Sequence, residues 1–294
     1  MTKQHRAELL LALATGFWSI SYYFSRVCLT EMDVMTLNAF RFLSAFMILG
    51  LIYRAHLRHL TRETVKWGVA VGLILVVTYI GATYGVMYTS LSNAGFISCL
   101  AVVITPLIQL LFFHRLPERR LGISLLLCVI GLALMTLSDD LRFASGDALC
   151  LLCSVAYACD ILVTEHAVTK SDVDPVGMCV VQIGVTGACF LLLALLLEKP
   201  HLPLTPGGWA AALFLGLFCS GITFIIQNTQ QQYTSAARVA LIFTLEPLFS
   251  AIVAFFLAGE RLLPRNYFGA ALMLISLLLA QTGGEKHDDV REGV

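Results

Sequence analysis

Charge is scarce in this chain. Of 294 residues, 13% are Asp, Glu, Lys or Arg and 58% are hydrophobic, whereas soluble domains run at about 25% charged and about 45–50% apolar. No soluble core needs that ratio, which excludes a water-soluble globular protein. Nineteen basic side chains balance nineteen acidic ones, and no basic tract is long enough to hold a nucleic acid. Long polar connections are also lacking. Thr30 to Asp33, Thr89-Ser90, Ser138 to Ser145 and Pro200 to Pro206 separate apolar runs, leaving no room for a soluble catalytic domain. Histidine is missing from the interior of the apolar runs: His5, His56, His59, His114, His166, His201 and His287 all fall at loops or run ends. That removes the base of a nucleophilic pair and the usual ligands of a metal cluster. Nine cysteines are present, but nearly all sit inside apolar runs and read as small hydrophobic fillers. Cys150 and Cys153 have metal-like spacing without a second pair or a neighbouring histidine. No enzyme, metal or cofactor is expected.

What is present is a series of segments of membrane-crossing length. A crossing takes about 20 apolar residues, and such segments fall near 8–26, 34–53, 66–86, 91–113, 120–138, 147–165, 175–197, 208–229, 237–257 and 265–282. The first follows Lys3 and Arg6 like a secretion signal, yet its apolar run is about 17 residues or longer, so it reads as a retained helix. The expected fold is an all-α integral membrane protein with about ten transmembrane helices.

The chain is also written twice. A shift of 141 residues brings Asp33-Val34 onto Asp174-Pro175, Arg41 onto Gln182, Asn93 onto Thr234, and Thr105-Pro106 onto Glu246-Pro247. The expected domains are therefore two repeats, 1–141 and 142–294. Five crossings per copy make the second enter from the opposite side, so the repeats are inverted about an axis in the membrane. The basic residues give the orientation. Counting alternate loops, thirteen collect on one side, including Lys3, Arg6, Arg54, Arg58, Arg62, Lys66, Lys170 and Arg238; Arg26, Arg142, Lys199, Arg261 and Arg265 collect on the other. Positive loops stay inside, which puts both termini in the cytoplasm.

Short motifs then recur in order. They are Gly16-Phe17-Trp18-Ser19 in the first segment, Asn38-Ala39-Phe40-Arg41-Phe42 in the second, and Tyr88-Thr89-Ser90-Leu91-Ser92-Asn93-Ala94 entering the fourth. The second half adds Tyr233-Thr234-Ser235-Ala236-Ala237, Leu245-Glu246-Pro247 and Gly259-Glu260-Arg261-Leu262 around the ninth. In these the chain resembles an EamA-type member of the drug/metabolite transporter superfamily. The resemblance covers nearly the whole chain and implies ten helices in two inverted repeats, with export of amino acids or similar amphipathic metabolites and drugs. Leu116-Pro117-Glu118-Arg119 departs from the Gly-Glu-Arg-Leu turn usual at that place.

Polar groups inside hydrocarbon are costly and mark function by default. Three ionisable side chains lie well inside the segments: Arg41, Asp160 and Glu246. At about 1.5 Å per residue, Arg41 lies roughly 10 Å from the outer surface, within reach of water for a long side chain; it reads either as structural or as lining a vestibule. By the same rise, Asp160 and Glu246 fall at similar depth in the inner half, about 10–12 Å from the cytoplasmic end. They are the candidates for proton coupling, because two close carboxylates hold at least one proton at neutral pH. Trp18 and Tyr22, Tyr79 and Thr83, and Tyr157 with Asp160 each share a helical face. With Gln227, Asn228 and Glu246 they make up the expected substrate site. Pro106 and Pro247 occupy equivalent positions and are the expected helix breaks, each freeing a carbonyl. Gln230, Gln231 and Gln232 read as marking the cytoplasmic end, and Gly81 to Gly85 as a flexible stretch.

The expectation is thus a transporter in the inner or plasma membrane, moving a small organic metabolite through a central cavity by alternating access. Its partners are that small molecule and the bilayer, with no nucleic acid and a monomer as the working unit. Open alternatives are a proton-coupled importer of a nucleobase or organic cation, and a non-transporting membrane receptor or scaffold.

Overall fold

The computed structural model describes residues 2–89, 96–113, 119–136, 145–253 and 264–281, and among them regular structure is helical throughout, with no strand. The helices are α1 (Lys3–Cys28), α2 (Val34–Ile52), α3 (Arg62–Tyr88), α4 (Ala101–Phe113), α5 (Arg119–Thr136) and α6 (Ser145–Val168). They continue with α7 (Pro175–Leu197), α8 (Pro206–Tyr233), α9 (Ala236–Phe243), α10 (Glu246–Val253) and α11 (Pro264–Gln281). A single turn, Arg54–Leu57, follows α2. The motif residues 91–94, the Leu116 to Glu118 part of the departing turn, the Ser138 to Phe143 linker and Gly259 to Leu262 lie outside the described residues, as do the side chain of Tyr22 and all beyond Gln281.

Five of these helices are long and apolar enough to cross a membrane: Val34–Ile52, Arg62–Gly85, Ser145–Val168, Pro175–Leu197 and Pro206–Tyr233. The outer surfaces of the bundle's helices are greasy. Met47, Leu51, Leu126, Leu192, Leu195 and Leu278 are each more than half exposed, a surface that would aggregate in water and is at ease in lipid.

Helix starts follow local chemistry. The Thr61 hydroxyl accepts from Thr64 N; Asp174, followed by Pro175, accepts from Val176 N and Gly177 N; Thr205, followed by Pro206, accepts from Gly208 N. Each satisfies donors that a helix start leaves free, and proline in the first turn loses nothing by having no N–H. Asp33 precedes α2 without such a bond. Glu198, at the end of α7, takes its place: its Oε1 accepts from Met35 N at 2.8 Å and its Oε2 from Thr36 N and Thr36 Oγ1, both at 2.8 Å.

In lipid the hydrophobic effect does not drive helices together; close backbone approach at small residues does. On α3, a Cβ at Gly68 would lie 2.9 Å from Met178 O and one at Gly72 2.8 Å from Gln182 O, both on α7. About two and a half turns further along, a Cβ at Gly81 would lie 2.9 Å from Cys153 N and from Leu149 O of α6, and Gly85 meets Cys150 of the same helix. So α3 is wedged between α7 and α6. The Gly81 to Gly85 stretch, read from sequence as flexible, is instead a packing face inside an unbroken helix. Gly131 of α5 meets Gly269 O of α11 in the same way, at 2.7 Å.

The ends of the bundle are tied by polar contacts. At one end Glu198 caps α2, Thr89 Oγ1 donates to Asp147 Oδ1, and Glu31 accepts from Leu204 N, Thr205 N and Thr205 Oγ1. At the other, His56 Nδ1 lies 2.7 Å from Asp174 Oδ2, Thr61 Oγ1 donates to Asp172 O, and Arg238 pairs with Glu8 at 3.4 Å.

Candidate functional site

The centre of the bundle is a box of aromatic rings. The Trp18 ring of α1 lies 4.9 Å from Phe243, 5.6 Å from Phe224 and 6.3 Å from Tyr157, centroid to centroid, and Tyr157 stacks on Phe243 at 5.9 Å. Phe42 of α2 continues the box, edge-on to Tyr79 at 4.9 Å and stacked on Phe190. Phe42, Phe190 and Phe224 are buried, and Trp18 is 7% exposed. Edge-to-face and offset pairs at these spacings add about 0.5–1.5 kcal/mol each beyond area burial.

The box is anchored by an unusual stretch of α8. Leu215–Ile222 is a π-helix, a wider coil with i→i+5 bonding that tends to occur at functional sites. Within it, Cys219 O accepts from Trp18 Nε1 at 3.0 Å and from Thr223 Oγ1 at 2.8 Å, with Arg41 Nη2 at 3.5 Å. Arg41 Nε donates to Ser220 Oγ at 2.8 Å, and its guanidinium lies 5.2 Å from the Tyr79 ring and 5.5 Å from Phe42. Gly216 allows this approach, since a Cβ there would meet Arg41 O at 3.1 Å. Arg41 is only 5% exposed. Its charge is met by a hydroxyl, a carbonyl and two ring faces rather than by water, the arrangement cation–π contacts favour once desolvated.

One turn away lies a layer of carboxyl and amide groups. Tyr157, Asp160 and Thr164 share a face of α6; Phe224, Gln227 and Gln231 share a face of α8. Gln227 Nε2 donates to Asp160 Oδ2 at 3.2 Å, Asn228 Nδ2 to Gln182 Oε1 of α7 at 2.9 Å, and Gln231 Nε2 to Ile161 O. Asp160, Gln182, Gln227, Asn228 and Gln231 are all fully buried. Asp160 Oδ1, Gln182 Nε2, Gln227 Oε1, Asn228 Oδ1, Gln231 Oε1 and Thr164 Oγ1 have no hydrogen-bond partner among the described residues. A buried polar atom left unpaired costs about 1–3 kcal/mol, so this layer is expensive to keep.

The structure therefore brings Trp18, Tyr79, Tyr157, Asp160, Gln227 and Asn228 into one buried region. Glu246 opens α10 and is partly buried; its backbone O accepts from Ser19 Oγ at 2.9 Å. Thr83 turns back on its own helix, donating to Tyr79 O at 2.7 Å. Tyr22 lies on α1 with its side chain outside the described part.

The two prolines are not equivalent in practice. Pro247 is the second residue of α10, where its missing N–H is harmless, and the break lies before it, at Thr244-Leu245. Leu245 N bonds to Ile242 O in a tighter turn there. Pro106 lies inside α4, which continues through it, and the irregular turn falls at Leu100. Gln231, read from sequence as marking a helix end, is buried and bonded to α6. Gln182, Ser220 and Phe243 were not singled out as site residues. The repeat pairing of Arg41 with Gln182 was the one signal pointing to any of them.

A bundle of long apolar helices with a buried aromatic and polar centre is that of a multi-pass membrane transporter. The model of the EamA-like transporter family matches residues 5–137 and 144–282, and the chain belongs to that family. It is 27% identical over 279 residues to an uncharacterized transporter of Archaeoglobus fulgidus, covering 94% of this chain and 86% of that one. Another uncharacterized transporter, from Methanothermobacter thermautotrophicus, is 23% identical over 295 residues, covering 92% and 85%. In fold it is similar to a crystallised protein, with a TM-score of 0.81 over 95% of this chain and 97% of that one at 15% identity.

Proposed function

We propose that this transporter moves a small organic metabolite outward across the inner or plasma membrane by alternating access, binding it between the aromatic box and the carboxyl–amide layer. The observation that carries this reading is the layer itself: unpaired polar atoms of α6, α7 and α8 held fully buried beside stacked rings. Such groups are kept where they serve a ligand or a proton. In the same reading ten crossings form two inverted repeats, 1–141 and 142–294, with both termini cytoplasmic. The grouping of Arg54, Arg58, Arg62, Lys170 and Arg238 near one end of the bundle supports that orientation. Amino acids and compact aromatic compounds suit the site better than phosphorylated sugars, which call for several converging Lys or Arg.

The test is efflux from proteoliposomes loaded with a labelled metabolite panel. Faster loss of an amino acid, nucleobase or organic cation in the presence of the protein supports the reading. Movement of phosphorylated sugars alone, or of nothing, refutes it.

A further inference from the structure

The unpaired atoms around Asp160 are unequal in kind. Four are oxygens that only accept, namely Asp160 Oδ1, Gln227 Oε1, Asn228 Oδ1 and Gln231 Oε1; one, Gln182 Nε2, only donates, and the Thr164 hydroxyl can do either. Amide oxygen and nitrogen can be exchanged by a flip, but the excess survives it. Gln227 must turn its NH2 to a carboxylate and Gln231 must turn its NH2 to the Ile161 carbonyl, so their free atoms are oxygens. Flipping both Asn228 and Gln182 only exchanges which of the two keeps the free oxygen and which the free nitrogen. Oxygens with no partner at all thus outnumber the nitrogen and hydroxyl in that state by four to two, and one of the four belongs to a carboxylate, while Tyr157 and Phe224 place rings one helical turn from Asp160 and Gln227.

We infer that the faces of α6 and α8 around Asp160, Gln227, Asn228 and Gln231 form a recognition site for a primary ammonium group attached to a compact apolar or aromatic body. This deepens, and rests on, the reading of the chain as a transporter of a small organic metabolite. A primary ammonium supplies three N–H donors and no acceptor, which suits a carboxylate oxygen and amide oxygens that have no partner. A neutral alcohol brings one donor without the charge, and a quaternary ammonium brings the charge without a donor. The rings above the layer take the body of the molecule and add cation–π attraction.

The inference is tested by binding to the purified chain in lipid nanodiscs, read by thermal shift and by displacement of labelled phenethylamine. Phenethylamine is expected to bind about 10- to 100-fold more tightly than its N,N,N-trimethyl derivative or 2-phenylethanol, the range for losing charge-assisted hydrogen bonds. Asp160→Asn is expected to abolish that preference, and the ligand series on the unaltered chain decides the matter if the variant does not fold. Phenylalanine binding as tightly as phenethylamine assigns the ammonium to an amino acid, and phenethylamine binding alone assigns it to an amine; either supports the site. Equal binding of the alcohol, or stabilisation by sodium chloride over choline chloride with no response to any amine, overturns it. Ammonium preference without flux refutes transport alone, whereas flux of neutral compounds with no ammonium preference refutes this site alone.

Discussion

Glu198→Gln should loosen one end of the bundle. Helix α2 starts without a cap of its own, and the Glu198 carboxylate, from the end of α7, accepts three hydrogen bonds at 2.8 Å from Met35 and Thr36. Glutamine keeps one acceptor, turns an NH2 toward an N–H, and removes a negative charge from a helix N-terminus. A lost cap costs about 1 kcal/mol and the charge about 0.3–1 kcal/mol. With the unpaired N–H the sum is about 1.5–2.5 kcal/mol, or about 10- to 70-fold in the equilibrium between tied and untied ends. Cys28 reports on this equilibrium. It ends α1, is fully buried, and its thiol lies 3.9 Å from Gly208 O in the first turn of α8. In a chain whose other eight cysteines are replaced by alanine, a membrane-impermeant maleimide should label Cys28 about 10- to 70-fold faster when Glu198 is Gln. Labelling unchanged within about twofold, alongside a melting temperature lowered by a comparable free energy, would show that the bonds hold α2 without holding that end closed.

The neighbouring tie should respond to acid. The Thr205 hydroxyl, then the backbone N–H groups of Thr205 and Leu204, hold the Glu31 carboxyl below its ordinary value of 4.5. A group whose value is depressed by its partners favours the tied state above the ordinary value and loses that contribution as pH falls through the depressed one. Cys28 labelling, divided at each pH by that of the unfolded chain to remove the falling thiolate fraction, should therefore stay flat from neutral pH down to about 5 and rise below it; a rise centred between about 6 and 7 would point to a histidine instead. Gly81→Ala should lower stability by about 1–3 kcal/mol, because its Cβ would press on backbone atoms of α6 that cannot move aside. Gly122→Ala, with nothing within 4 Å of the added carbon, should be neutral or raise stability by up to about 1 kcal/mol, and thermal melts of the pair in detergent check both. Glu246→Gln should abolish gradient-driven accumulation in proteoliposomes while leaving exchange intact, and Asp160→Asn should weaken both; unchanged accumulation in both would remove either carboxylate from coupling.

The helices were legible because lipid imposes a simple rule on sequence. The expected segment 175–197 coincides with α7, and 34–53 and 120–138 lie within two residues of α2 and α5. In the apolar run 237–257 Pro247 signals a break, but not that the break falls before it, at a tight turn through Leu245 that separates α9 from α10. Asp160, Gln227 and Asn228 could be picked out as polar residues in apolar company. Their partners could not. Gln182 lies 46 positions from Asn228, and Glu198 caps a helix that begins 164 residues earlier. Such pairings arise from helix packing, which short-range pattern does not encode. Nor does composition reveal a π-helix, since Leu215–Ile222 reads as any apolar run with two glycines.

That π-helical stretch also sets the phase of everything after it. In an α-helix each residue turns the chain by about 100° and in the wide coil by less, so substitutions that rewound Leu215–Ile222 as an α-helix without removing a residue would swing the rest of α8 around by roughly that angle. Gln227 would leave Asp160, Asn228 would leave Gln182, and Gln231 would lose Ile161 in one step, with every one of those residues still present. The wide coil acts as a phase spacer between the half of α8 that grips Trp18 and Arg41 and the half that faces the carboxylate. Relatives that keep the amides and lose the spacer should present different atoms to whatever they carry.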